Sequence, residues 1–263
     1  MIAVLCAIRQ EISPLVACMN IHEKFDIDEV LFFRGDLNGL PLVLVQGGVG
    51  RKNAVKAANC LFESIKVDLL ISAGVAGGIR HGLSVGDLVV AESVGHSNQC
   101  DFDGEELQLE SDYACDKEVF QLARQLSNSM ESKFHFGSLL TVDKVISSAS
   151  TKKRIGEQTP FLAVEMESAA VAEVAYSKGV KFAAIRSISD DIDDDLHLDY
   201  DSIMSDEGKV KVASIALEVL KNPQKLSLLR RLNKQTKTAA KNLALFMSEL
   251  IPLIYDKNVS LVT

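Results

Sequence analysis

The chain is short of everything that would draw it to a polyanion. Its 28 Lys+Arg are outnumbered by 36 Asp+Glu, giving a formal net charge of −8, so no positive field gathers nucleic acid or an anionic membrane surface. Long hydrophobic runs are missing too: none approaches the roughly 20 residues that cross a bilayer, and no membrane span is expected. Cysteine is sparse and unpatterned. Cys6, Cys18, Cys60, Cys100 and Cys115 form an odd set without a CxxC pair or zinc-type spacing, which predicts reduced thiols in a cytoplasmic protein and no metal. The chain opens on the apolar run 2–8 and turns charged at Arg9 with no basic segment before it, which reads as a buried strand rather than a signal peptide. The absence of a GxSxG elbow excludes that type of serine hydrolase. Without a low-complexity linker or internal repeat, one domain is expected over residues 1–263. What remains is a chain that binds a small, local ligand.

What is present is alternation. Short continuous apolar runs at 2–8, 30–33, 41–45, 67–72, 88–91, 138–142, 161–164 and 182–188 suit strands covered on both faces. Between several of them lie stretches of helical period. In 52–65 the residues Ala54, Ala57, Ala58, Leu61, Phe62 and Ile65 make one stripe, and 117–130 and 168–178 read likewise. Strands interleaved with helices predict a three-layer α/β/α sandwich around a mixed, twisted sheet. The last third reads as two helices, 207–220 and 226–250, divided by Asn222-Pro223. The second forms a C-terminal extension of about 224–250 that packs through Leu228, Leu229, Leu232, Ala239, Leu243 and Phe246, with a solvated basic face.

Several clusters carry possible chemistry. Gly47-Gly48-Val49-Gly50 precedes a helix, but the next small residue of a dinucleotide fingerprint is replaced by Asn53, so a tight turn is expected instead. Ser72-Ala73-Gly74-Val75-Ala76-Gly77-Gly78 follows a strand without the Gly-Lys-Ser/Thr of a Walker loop, and its small residues let main-chain N–H groups face a cleft. The run from Asp190 to Asp195 has Leu196 where a calcium loop needs glycine. Asp193, Asp194 and Asp195 then read as a solvated loop, whereas Asp190 ends an apolar strand and can act as an acid. Val164-Glu165-Met166-Glu167 sets two carboxylates after another strand, where helix capping competes with function. His96 with Cys100, Asp101 and Asp103 is a loose metal-like group that nothing completes. Glu11 alone is an ordinary carboxylate of a helix N-terminus.

Together, Ala7-x-x-x-Glu11, Ala73-Gly74-Val75-Ala76-Gly77-Gly78 with Val85-Gly86-Asp87, Val164 to Ala170, and Ile185-Arg186-Ser187-Ile188-Ser189-Asp190 resemble the purine nucleoside phosphorylase superfamily over about residues 1–220. The branch most similar is that of the methylthioadenosine/S-adenosylhomocysteine nucleosidases, and the tail near Leu220-Lys221-Asn222-Pro223 is similar to a hopanoid-associated subgroup. The resemblance implies a sheet twisted into a partial barrel, a homodimer with active sites near the subunit interface, and no cofactor. It also implies roles. Asp190 donates a proton toward purine N7, Glu167 accepts from the ribose 2′- and 3′-hydroxyls with Met166 against the sugar, and Glu11 with Arg186 holds and activates water. Gly74, Val75, Ala76, Val145, Ile146 and Glu165 fall in its substrate-binding segments.

Those residue types fit the cleavage of an N-glycosidic bond, which builds positive charge on the ribose and negative charge on the base. Glu11 repels phosphate, which points to water as the acceptor; Arg9, Arg34, Arg51 or Arg80 remain possible phosphate contacts for a phosphorylase, with phosphate then a co-substrate. A nucleoside-binding protein without turnover is the rival of another class. Two positions depart from the nucleosidase pattern. Val75 stands where serine is usual, removing a hydroxyl, and Val145 stands where an aromatic is usual, so stacking on the base is weaker or comes from Phe102 or Phe161.

Overall fold

The computed structural model describes residues 1–98, 107–196 and 225–260. The elements run β1 (Ile2–Cys6), α1 (Arg9–Val16), β2 (Asn20–Ile27), β3 (Val30–Leu37), β4 (Leu40–Gln46), α2 (Arg51–Ser64), β5 (Leu69–Gly78), β6 (Leu88–Ser97) and β7 (Ser111–Ala114). They continue through α3 (Lys117–Ser127), β8 (Phe134–Val142), α4 (Ala149–Gln158), β9 (Ala163–Glu165), α5 (Ser168–Ser177), β10 (Lys181–Asp190) and a final α6 (Lys225–Ser260). The expected helix at 207–220 and the tail segment 220–223 lie outside the described residues, as do Cys100, Asp101, Phe102 and Asp103.

The ten strands among the described residues join one mixed sheet in the order β10-β6-β8-β9-β5-β1-β4-β3-β2, with β7 on β6. A further pairing of β10 with β5 closes β10, β6, β8, β9 and β5 into a ring. Both faces of the central strands are apolar, as continuous hydrophobic runs require. In β1, Ala3 and Leu5 pack with α2 and α5, while Ile2, Val4 and Cys6 pack with α1, α3 and α6. That alternation builds the three-layer α/β/α sandwich.

The structure corrects several boundaries. The strand expected to end at Ser72 runs on to Gly78, so the second glycine cluster is strand rather than turn. Two helices and two strands carry no apolar signal. α1 and α4 are short and largely polar, while β2 is an edge strand and β7 pairs only with β6. α6 does not stop at Leu250 but continues through Pro252, because Ile251 and Ile254 stay buried and the Tyr255 hydroxyl donates to Pro41 O and accepts from the Ile2 amide. At about 1.5 Å per residue the helix is long enough to reach from the N-terminal strand to the far rim of the sheet. Leu228, Leu229 and Leu232 are only half-buried; the packed stripe begins at Ala239. Among the described residues no helix is long and apolar enough to cross a membrane.

Candidate active site

A cavity of about 880 Å³ opens at the carboxyl ends of β1, β4, β5, β8, β9 and β10, where ligands bind in α/β sheets. Glu11, Val75, Ala76, Val145, Ile146, Glu165, Met166, Glu167 and Asp190 all line it. Gly74 and Arg186 do not; they sit directly beneath.

Glu11 occupies the first turn of α1 and is buried. Its Oε2 accepts from the Ala7 and Ile8 amides at 3.0 and 2.9 Å, and its Oε1 from the Val75 amide at 2.8 Å. Val75 therefore contributes through its main chain, whatever its side chain. The glycines of β5 are explained by proximity: a Cβ on Gly74 would lie 2.6 Å from Glu11 Oε1, and one on Gly77 would lie 2.9 Å from Asp190 Oδ2. Burial pushes the Glu11 carboxyl up, against the pull of Arg186 and the three amides.

Glu165 and Glu167 divide the tasks that their spacing left open. Glu165 caps α5, accepting from the Glu167 and Ser168 amides at 3.0 and 2.8 Å, and it also takes the Thr141 hydroxyl and Arg186 Nη2. Its oxygens are thereby committed to the protein. Burial opposes its charge, yet Arg186 and Thr141 hold it below the usual carboxylate range. Among the described residues Glu167 accepts only from the Gly50 amide, at 2.7 Å, and lies 4.0 Å from Arg186. Burial first, and then the charge of Glu165, pushes it up. The glycine turn before α2 thus serves the site, with Gly48 and Gly50 at φ 97° and 89°, where a side chain is strained. Arg186 is 2% exposed, a single guanidinium that bonds Glu165, lies 4.0 Å from Glu167 and feels the charge of Glu11; its own proton is held more tightly, burial being outweighed by Glu165, Glu167 and Glu11.

A carboxyl raised by burial destabilises the fold as pH climbs, since the unfolded chain ionises first: its contribution is intact below the unfolded value and lost through the folded one. The parent protein is therefore expected to lose melting temperature between pH 6 and pH 9, and Glu167→Gln to flatten that decline by roughly 3 °C or more, ~2–4 °C corresponding to 1 kcal/mol in chains of this size class. Thermal scans across that range check it; an unchanged slope removes Glu167 as the cause.

Asp190 ends β10 beside the cavity. Ser189 Oγ donates to its Oδ1 at 2.7 Å, and Lys152 Nζ, from α4, donates to its Oδ2. The neighbouring acids are not a merely solvated loop as expected. Asp193 is exposed, but Asp194 receives Arg231 at 2.9 Å and Gln235 at 3.2 Å from α6, and Asp195 caps α4 through the Ala149 amide. α6 also supplies Thr236 to the cavity wall, and its Asn242 donates to Gly86 O. Lys152 and Thr236 were not found from sequence: one is a lysine in a polar stretch and the other a threonine on a surface-like helix.

Other candidates fall away from the cavity. Phe161 is 3% exposed and packs against Gly95 rather than the cleft, so it cannot stack on a ligand. Arg80 is consumed by the Phe161 and Thr159 carbonyls, and Arg9 and Arg34 point to solvent. Arg51 lines the cavity and pairs with Glu173. His96 bonds Asp143 at 3.1 Å, and among the described residues no cluster of three potential ligands could hold a metal.

The family model of the phosphorylase superfamily matches residues 1–221. A 5′-methylthioadenosine/S-adenosylhomocysteine nucleosidase of Maridesulfovibrio salexigens is 30% identical over 238 residues, 88% of this chain and 99% of that protein. One of Staphylococcus carnosus is 28% identical over 84% of this chain and 100% of its own length. Among solved structures, the nucleosidase of the same type from Neisseria meningitidis, in complex with methylthio-immucillin-A, superposes with a TM-score of 0.74 at 25% identity, covering 95% of this chain and 97% of that one.

Proposed function

Since the chain belongs to the phosphorylase superfamily, we propose that it is a purine nucleosidase, hydrolysing the N-glycosidic bond of a 5′-substituted adenosine such as methylthioadenosine or S-adenosylhomocysteine and releasing the free base. One observation carries the reading. Glu11 and Asp190 lean on the same strand three residues apart, against Gly74 and Gly77, a separation of about 10 Å along β5 at roughly 3.3 Å per residue. A nucleoside, sugar at one end and base at the other, bridges that span with a carboxyl group at each end.

The chemistry then follows from charge. Glu11 accepts a proton from the attacking water, and its burial raises its affinity for that proton. Glu167 accepts from the ribose hydroxyls, and the carboxylates around Arg186 favour a sugar becoming cationic. Asp190 gives its proton to N7 as the base departs. Met166 packs on the sugar, while Val145, Ile146 and the Thr236 of α6 bound the rest of the cleft. Water rather than phosphate suits this floor: three carboxylates share one arginine there, and phosphate prefers cations and free amides. The amides that an anion would use are already occupied by Glu11. The names of the relatives support the same substrate class. We further propose a cytoplasmic homodimer, a single domain and no cofactor.

The test is incubation with methylthioadenosine, S-adenosylhomocysteine, adenosine, inosine and a long-chain 5′-substituted adenosine, with and without phosphate, separating free base, free sugar and sugar 1-phosphate. Free sugar and equal rates in both conditions are expected. Strict dependence on phosphate would reverse the assignment to phosphorolysis, for which Arg51, Lys52 and Lys144 are the cations that line the cavity. No base release from any nucleoside would leave a binding protein.

A further inference from the structure

Lys152 is fully buried, with 0% of its side chain exposed. A buried ammonium needs a full set of partners, and this one has them: Nζ donates to Asp190 Oδ2, to Asp191 O at 3.0 Å and to Asp194 O at 3.1 Å. The approach is built into α4. Lys152 and Gly156 share a helix face, and a Cβ on Gly156 would lie 1.9 Å from Ile79 O, so glycine there lets the helix press on the end of β5. Asp195 caps the same helix, and the Leu196 amide donates to Ser147 O, closing the loop after β10 over the pair. The next residue, Lys153, is half exposed and pairs with exposed Asp193, so only one of the two lysines is drawn inside.

We propose that Lys152 is a positioning residue for the leaving-base acid: its ammonium stabilises the carboxylate that Asp190 becomes as its proton passes to the purine. The proposal rests on the nucleoside-cleaving reading above. In the step, the C1′–N9 bond breaks with its electron pair going to the base, the Asp190 proton moves to N7, water oxygen bonds C1′, and the water proton goes to Glu11. Lys152 keeps its three protons throughout. The carboxylate appears against a cation already in place and hidden from solvent, which is where such a charge acts most strongly. In the free protein Asp190 and Lys152 form an ion pair; Asp190 takes up a proton from solvent as each nucleoside binds, and Glu11 returns its own to water after each turnover. The ammonium also pins Oδ2 and the Ser189 hydroxyl pins Oδ1, fixing the plane of the carboxyl group at the cavity edge.

The experiment compares two leaving groups in Lys152→Met, which keeps the length of the side chain without its charge. Adenine leaves methylthioadenosine only with a proton, whereas 4-nitrophenolate leaves a 4-nitrophenyl 5-methylthioriboside without one. The expected result is a fall in kcat for adenine release of about 10²-fold, KM within about threefold, and nitrophenolate release within about threefold of the parent. In Asp190→Asn, adding Lys152→Met should deepen the loss by less than about threefold, since the two residues act as a unit. That double variant replaces the buried pair by neutral groups, so it decides the matter even where the single variant does not fold. Equal loss on both leaving groups, adenine release within about twofold of the parent, or a compounded loss in the double variant overturns the proposal. A parent protein that releases no base from any 5′-substituted adenosine overturns the nucleosidase reading itself, and this proposal with it.

Discussion

Asp190→Asn is expected to lower base release by about 10²–10⁴-fold, the usual contribution of a placed proton donor, with nucleoside binding still measurable. Asparagine keeps the shape and fills the same gap against Gly77, but it has no proton to deliver to N7. It also leaves Lys152 without its counter-charge, and breaking a buried pair from one side costs about 3–5 kcal/mol, so a lower melting temperature should accompany the lost turnover. Steady-state release of adenine, calorimetric binding of methylthioadenosine and a thermal scan separate the two effects. Turnover close to the parent's would remove Asp190 from the acid role.

Glu11→Gln should have an effect of similar size, about 10²–10⁴-fold on turnover, because it removes the proposed general base. Its two carboxylate oxygens take three backbone amides. An amide side chain can offer only one oxygen and places an NH₂ against donors, leaving at least one buried N–H unpaired at a cost of about 1–3 kcal/mol. It also deprives Arg186, whose Nη1 lies on the same Gly74 face, of one of its three carboxylates. The measurement is kcat and KM for a 5′-substituted adenosine at several pH values: kcat should collapse while KM changes little. A variant that keeps a third of the parent's kcat would show that water is activated elsewhere.

These two acids were legible because each follows an apolar strand within a motif of fixed spacing. The strands β1, β4, β5, β6, β8 and β10 were legible for a related reason, being buried on both faces and so written as unbroken hydrophobic runs. Elements whose stability comes from pairing or from contacts made at long range left no such trace. β2 alternates weakly on an edge, and α4 is polar along most of its length. The same limit governs the site. Lys152 and Lys153 are adjacent and chemically identical, and only the close passage of α4 over β5 decides which one meets Asp190. Thr236 reaches the cavity because α6 is held by Asp194 and Gly86, contacts between segments that lie far apart in the chain. The division of Glu165 from Glu167 likewise depended on where β9 stops: Glu165 is its last residue, so its side chain turns back to cap α5.

The closed ring of β10, β6, β8, β9 and β5 has a consequence for how such a protein can change. Asp190 and Glu165 project from strands laddered on both sides, and moving either relative to Glu11 would break hydrogen bonds around the whole circle. Val145, Ile146 and Thr236, in contrast, come from a loop and from a helix laid across the rim. On the proposed roles, the reaction and the choice of substrate therefore occupy separately mutable parts of one pocket. Substitutions along the rim can retarget the protein to a different 5′-group or base while the bond-breaking apparatus is inherited intact.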